Sequence, residues 1–90
     1  MIVLIKNKVR LEGKKVYIEA SKKMAKETEK VDGCISSTVL LSDVEDEVIN
    51  LEVWKSKEAF DKYDGSAFLK YKAELKPNFL GNTTEIFQEA

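Results

Sequence analysis

Histidine is absent from the 90-residue chain. That zero excludes Ser-His-Asp and Cys-His catalysis, HExxH zinc chemistry and a histidine-ligated haem. The one cysteine, Cys34, has no partner in the chain, so a disulfide framework and CxxC metal or redox sites fall away, and a reducing, cytoplasmic setting is expected. No apolar run approaches the length of a membrane span. The opening MIVLIKNKVR has too few apolar residues before Lys6 to make a signal-peptide core. Neither membrane insertion nor a membrane partner is expected. Glycine is scarce and proline occurs once, at Pro77; there are no Gly/Ser linkers or low-complexity tracts. Net charge is only -1, which removes the strong basic excess of a nucleic-acid surface.

What is present is the balance of a folded globule, 43% hydrophobic and 34% charged residues. The length fits a single domain over residues 1–90. A chain of this size buries roughly 60–65% of its unfolded surface, so the core is thin and association with a second copy is a natural remedy. Charge is uneven. Residues 1–33 carry nine basic and five acidic groups, residues 34–54 carry five acids and no base, and residues 55–90 balance at six and six. The basic part is interleaved with acids on a predicted helix and reads as a solvated face.

Val3, Ile5 and Val9 alternate with Lys6, Lys8 and Arg10, a half-buried strand whose apolar side is interrupted by Asn7. After Gly13 the period becomes 3.6: Tyr17, Ala20, Met24, Thr28 and Val31 form a stripe opposite Lys22, Lys23, Lys26 and Glu29, which predicts an amphipathic helix over 14–30. Asp32-Gly33 stops it and Cys34 to Leu41 reads as the second strand. The polar cluster 42–47 predicts a hairpin into a third strand over 48–54. Its acids Asp43, Glu45, Asp46 and Glu47 lack the glycine-punctuated spacing of a calcium loop, and no metal site is expected there. Ser56 is placed to cap a helix that Asp64-Gly65 interrupts, Ser66 restarts, and Pro77 ends. Gly81-Asn82 is expected to turn the chain into a last strand bearing Ile86 and Phe87. The order β-α-β-β-α-β predicts an α+β, ferredoxin-like fold, with an antiparallel four-stranded sheet and both helices on one face. The uncovered face then invites a homodimer stacked sheet to sheet.

The third strand holds the candidate chemistry. At period 2, Asn50, Glu52 and Trp54 share the face opposite Ile49, Leu51 and Val53. Such a row is solvent-lit, structurally paired, with Glu52 on a lysine and Trp54 packed, or the wall of a polar-tipped pocket. Five of the eight aromatic residues (Trp54, Phe60, Tyr63, Phe68 and Tyr71) fall between positions 54 and 71. Flat apolar walls of this kind suit a planar aromatic ligand, although aromatics at helical spacing are more often plain core. Cys34 reads as a buried, inert thiol.

The segment NLEVWKSKEAFDKYDGSAF, from Asn50 to Phe68, resembles the antibiotic biosynthesis monooxygenase family, in which a strand ending Glu-x-Trp precedes a short helix and a Ser-containing turn. The resemblance is densest over 48–75. It implies a dimeric α/β barrel with a pocket between sheet and helices in each subunit. In enzymatic members it implies oxidation of quinols or phenols by O2 with neither metal nor flavin as cofactor. Asn50 and Trp54 match the strand Asn and Trp that flank substrate in such members and are the catalytic candidates. Asn7 matches an Asn of a haem-degrading branch. Tyr63 stands where many members carry a helix His, and Ala73 where the haem-degrading branch carries its ligand His, so haem degradation is not expected. A phenol, with an ordinary pKa near ~10, is a poor base at neutral pH. Asn7, Tyr63, Phe60 and Phe68 are the substrate-binding candidates. Two readings stay open: a cofactor-independent monooxygenase acting on a small quinol or phenolic aromatic, or a non-catalytic ligand-binding or assembly member of the same fold.

Overall fold

The structure, a computed structural model, describes all 90 residues. Four strands, β1 (Ile2–Val9), β2 (Cys34–Leu41), β3 (Glu47–Trp54) and β4 (Phe79–Phe87), form one sheet in the order β2-β3-β1-β4, and every neighbouring pair is antiparallel. Helices α1 (Lys14–Glu29), α2 (Lys57–Lys62) and α3 (Ser66–Leu75) complete the β-α-β-β-α-β order, the second helix split in two. No helix is long and apolar enough to cross a membrane.

The breaks follow local chemistry. The Ser56 Oγ accepts the Ala59 backbone N–H at 3.1 Å, capping α2. Gly65, at φ +74°, takes the left-handed conformation that starts α3 in a new direction. Gly33, at φ +90°, does the same after α1. A Cβ there would lie 2.5 Å from that of Ala59, so this glycine also sets how closely α2 approaches the sheet edge. Pro77 sits in a 3-10 turn over Lys76–Asn78, beyond the end of α3.

One local expectation fails. Gly81-Asn82 is not a turn, because β4 already begins at Phe79. The pairing with β1 slips between Lys8↔Gly81 and Val9↔Phe79, leaving Leu80 as an extra residue. A glycine within a strand pattern marks a bulge as readily as a turn, and here the bulge prevails because the 3-10 turn after α3 has already reversed the chain.

Because directly paired residues share a face, the registers place Val3, Ile5, Asn7 and Val9 of β1 on the helix side. Val48, Asn50, Glu52 and Trp54 of β3 join them there, with Asn82, Thr84 and Ile86 of β4. Val9, Tyr17, Ala20, Val48 and Leu75 pack into the buried core at one end of this face, each large aliphatic side chain stabilising the fold by about 1.5–3 kcal/mol. Trp54 is buried at the opposite end of β3, its ring 5.5 Å from Phe60 and 5.4 Å from Tyr63. Between these two packed ends the sheet's polar row is left uncovered by side-chain packing.

Candidate functional site

That uncovered stretch is the floor of a cavity of about 820 Å³. Its floor is Ile5 and Asn7 of β1 with Asn50 and Glu52 of β3. Its walls come from Tyr17, Met24 and Thr28 of α1, Phe60 and Asp61 of α2, and Phe68, Lys72 and Leu75 of α3. Tyr63 lies between the two short helices, and Phe79 and Asn82 close the β4 side. The volume falls in the roughly 300–1,000 Å³ range of small-molecule sites, and apolar walls around a few convergent polar groups are their usual make-up.

The amides at the floor are fixed. Asn7 Nδ2 donates to the Val48 carbonyl at 3.0 Å and to Asn50 Oδ1 at 2.7 Å. A backbone carbonyl only accepts, so the Asn7 atom facing it is nitrogen, and the Asn50 atom facing Asn7 is therefore oxygen. Both Asn7 N–H groups are consumed. What remains open to the cavity is the Asn50 Nδ2 amine, a double donor, and the Asn7 Oδ1 acceptor. Neither atom has a protein partner and neither is sealed off from the cavity. Asn7 and Asn50 are only 3% and 5% exposed, so an incoming group meets donors that are already oriented and largely desolvated.

Glu52 lies two residues along the same face from Asn50 and is 8% exposed. No lysine pairs with it. Its Oε1 accepts the Trp54 indole N–H at 3.0 Å, and its other oxygen has no protein partner and is not sealed from the cavity. Burial pushes this carboxyl above the ordinary carboxylate range, with the Trp54 hydrogen bond pulling weakly the other way. Tyr17 also reaches the cavity, and burial raises its phenol to about 12, which leaves it a proton donor in any hydrogen bond near neutral pH. Tyr63 uses its hydroxyl oxygen to accept the Ala67 N–H at 3.0 Å at the start of α3.

The structure thus brings five of the six candidate residues, Asn7, Asn50, Phe60, Tyr63 and Phe68, onto one cavity. Trp54 departs from the expectation that it walls the hollow. It is fully buried behind Phe60 and Tyr63, and its indole N–H is spent on Glu52, so it supports the lining and orients the carboxylate. Asn7 keeps its place on the cavity, but with both amine hydrogens spent it offers a ligand only its Oδ1 acceptor. Glu52 was visible in the Asn50-Glu52-Trp54 row, and of the readings open there the lysine pairing is the one that fails, its partner being the Trp54 indole. Asn82, placed opposite Asn7 by the β1–β4 register, and the wall residues Tyr17 and Lys72 carry no signal in the sequence that separates them from turn, core and solvated helix. Cys34 is partly exposed, and burial together with the Glu52 and Glu29 charges raises its thiol, which keeps it a poor nucleophile.

Comparison with known proteins bears on the family and the fold. The profile of the antibiotic biosynthesis monooxygenase family matches residues 1–73. Among solved structures, the chain is similar to a conserved protein from Methanosarcina mazei at 23% identity, with a TM-score of 0.82 over 99% of this chain and 91% of that one. It is similar to Rv0793 from Mycobacterium tuberculosis at 22% identity, with a TM-score of 0.78 over 99% and 95%. A candidate antibiotic biosynthesis monooxygenase from Nitrosomonas europaea shares 15% identity, with a TM-score of 0.82 over 99% and 98%. At these identities the structural likeness establishes the fold. No curated protein matches the sequence. With the family profile spanning most of the chain and the ferredoxin-like α+β sheet in place, this protein belongs to the antibiotic biosynthesis monooxygenase family.

Proposed function

We propose that the protein is a monooxygenase that oxidises a small quinol or phenolic aromatic with O2, using no bound cofactor, and that it works as a homodimer joined through the outer sheet face. The observation that carries the chemical part is the desolvated Asn50 amine at the floor of an apolar cavity. A phenolic oxygen that accepts from Asn50 Nδ2 is stabilised as it gains negative charge, and the anion is the readily oxidised form of such a ring. The substrate supplies the electrons and O2 accepts them. Phe60, Phe68 and Met24 are apolar surfaces against which a planar ring can lie with water kept away from reactive intermediates. An assembly module with no ligand would be expected to fill this space with its own side chains.

The dimer reading rests on the other face. Ile2, Leu40 and Phe87 are exposed there, in register with Leu4, Ile49, Leu51 and Val53, a contiguous apolar surface on the side that no helix covers. A second copy laid against it by two-fold symmetry buries it without contributing an open edge.

The experiment is oxygen uptake by the purified protein with a panel of hydroquinones and naphthoquinols, against the Asn50→Ala variant. Stoichiometric O2 consumption by the natural protein, lowered in the variant with the fold intact, supports the reading. Rates equal to the uncatalysed background across the panel, or equal rates for both proteins, contradict it.

A further inference from the structure

From the arrangement of the cavity floor we infer that Glu52 is the proton acceptor for the ligand's ring hydroxyl, acting beside the Asn50 amine on the same oxygen. The inference rests on the aromatic-cavity reading above and gives that ligand a required chemical feature, an acidic O–H.

Several observations converge on Glu52. It is a nearly buried carboxylate with no ion-pair partner: none of the ion pairs in the structure involves it. Burying a charge with neither pairing nor full hydrogen bonding is costly, and a merely structural position would be served by a glutamine, which can also accept the indole N–H. One oxygen is held by Trp54 Nε1, which fixes the plane of the carboxylate, and the other opens to the cavity. Successive same-face residues on a strand are about 6.5–7 Å apart along the backbone. That spacing lets Asn50 Nδ2 and the free Glu52 oxygen reach one ligand oxygen from adjacent positions, one donating and one accepting.

The remaining groups around Glu52 do not compete for the role. From α1 the cavity receives Tyr17, whose phenol is raised; from β2 Cys34 stands nearby as a raised thiol. The α2 side gives Asp61, held at 2.8 Å by Lys57, followed by Tyr63, which is occupied at Ala67. Lys72 and Lys76 on the α3 side are exposed at the cavity edge. The helix-side residues of β1 and β4 are not titratable. Glu52 is thus the carboxylate on the cavity floor that keeps an oxygen free of any protein partner. In the step itself the O–H bond of the ligand breaks and an O–H bond to Glu52 forms. The electron pair stays on the ring oxygen as a phenolate, which the Asn50 N–H groups stabilise, and the proton later leaves to solvent through the cavity mouth.

The test is anaerobic calorimetric titration with 1-naphthol and 1-methoxynaphthalene, probes of nearly the same shape that differ in the O–H. The natural protein is expected to bind 1-naphthol about tenfold or more tightly than the ether, as a hydrogen bond to a charged acceptor allows. That preference should decline as the solution is acidified and the carboxylate takes up a proton. Glu52→Gln should bind both probes alike at every pH, and Glu52→Asp should restore part of the preference. If the natural protein binds both probes equally, if its preference is flat with pH, or if Glu52→Gln keeps the preference, the inference is overturned and the aromatic-cavity reading survives. If neither probe binds, both fall together. A pH-dependent naphthol preference abolished in Glu52→Gln, in a protein that consumes no oxygen with any quinol, upholds the inference and overturns the oxidation reading. Should Glu52→Gln fail to fold, the pH profile of the natural protein alone decides.

Discussion

The two faces of the same sheet differ in what their alternating residues are for. On the helix side of the two central strands, Asn7, Asn50 and Glu52 interrupt an otherwise apolar pattern, and all three are buried. On the outer side, Ile2, Leu4, Ile49, Leu51 and Val53 run unbroken across the two central strands until Lys6, Lys8 and Glu47. Burying an amide or a carboxylate is unfavourable without partners, whereas exposing a few aliphatic side chains costs little until they form a patch. The polar interruptions are therefore where the proposed chemistry is assigned. The smooth side is the one to which the proposed dimer contact is assigned. One strand, β3, carries both messages at period 2.

Changes made on one face should leave the other's property standing, and that separation gives the comparison its tests. The largest effect is expected from Asn50→Ala. Removing the one oriented donor should lower quinol turnover by about 10²–10³-fold, while sedimentation of the assembly is unchanged. Leu51→Arg on the opposite face of the same strand should do the reverse. A charge facing its own symmetry mate in an apolar contact should convert the dimer to monomer at micromolar concentration, read by analytical ultracentrifugation, with naphthol binding retained.

Asn7→Ala comes next. It strips the donor from the Val48 carbonyl and from Asn50 Oδ1, and should cost about 1–3 kcal/mol of stability in chemical denaturation. It should also lower turnover, because the Asn50 amide is then free to rotate its amine away from the ligand. An Asn7→Ala/Asn50→Ala double-mutant cycle that proves additive would show that the two amides do not act together.

The smallest expected effect is on stability against pH. The Glu52 carboxyl titrates higher in the folded chain than in the unfolded one. Its contribution is complete below the unfolded value of about 4.3 and is lost as pH rises through the folded value, because the unfolded chain then releases the proton more readily. Glu52→Gln should therefore melt at a higher temperature than the natural protein at neutral pH, with the two curves converging on acidification. A gain in stability joined to a loss of ligand selectivity is the pattern of a residue kept for function. Equal melting temperatures at every pH would remove the strain assigned to this carboxylate.

Most of the fold was legible in the chain because each element carried its own local signal. Gly13 and Asp32-Gly33 bracket α1 nearly as observed, Ser56 caps α2, and the switch from period 3.6 to period 2 at Cys34 opens β2. The one slip, Gly81-Asn82, lay where a turn and a bulge share a signature and only the pairing partner decides between them. The site was less legible. The Asn50-Glu52-Trp54 row was visible, but strand periodicity assigns a face and not a depth. Trp54 lies at the end of the row, where Phe60 and Tyr63 cover it, and Glu52 lies in the middle, buried but bordering the cavity. Whether an amide offers its donor or its acceptor depends on a neighbour 43 positions away, which no local pattern reports.

The central claim is that the Asn7–Asn50–Glu52 row receives the oxygen of an aromatic ligand. The most direct measurement is a crystal structure of the protein grown anaerobically with 1,4-dihydroxynaphthalene. The expected result is the fused ring between the sheet and α3, with one hydroxyl oxygen within about 3 Å of both Asn50 Nδ2 and the free Glu52 oxygen. A ring bound elsewhere, or held in the cavity with both hydroxyls turned toward the mouth, would contradict it.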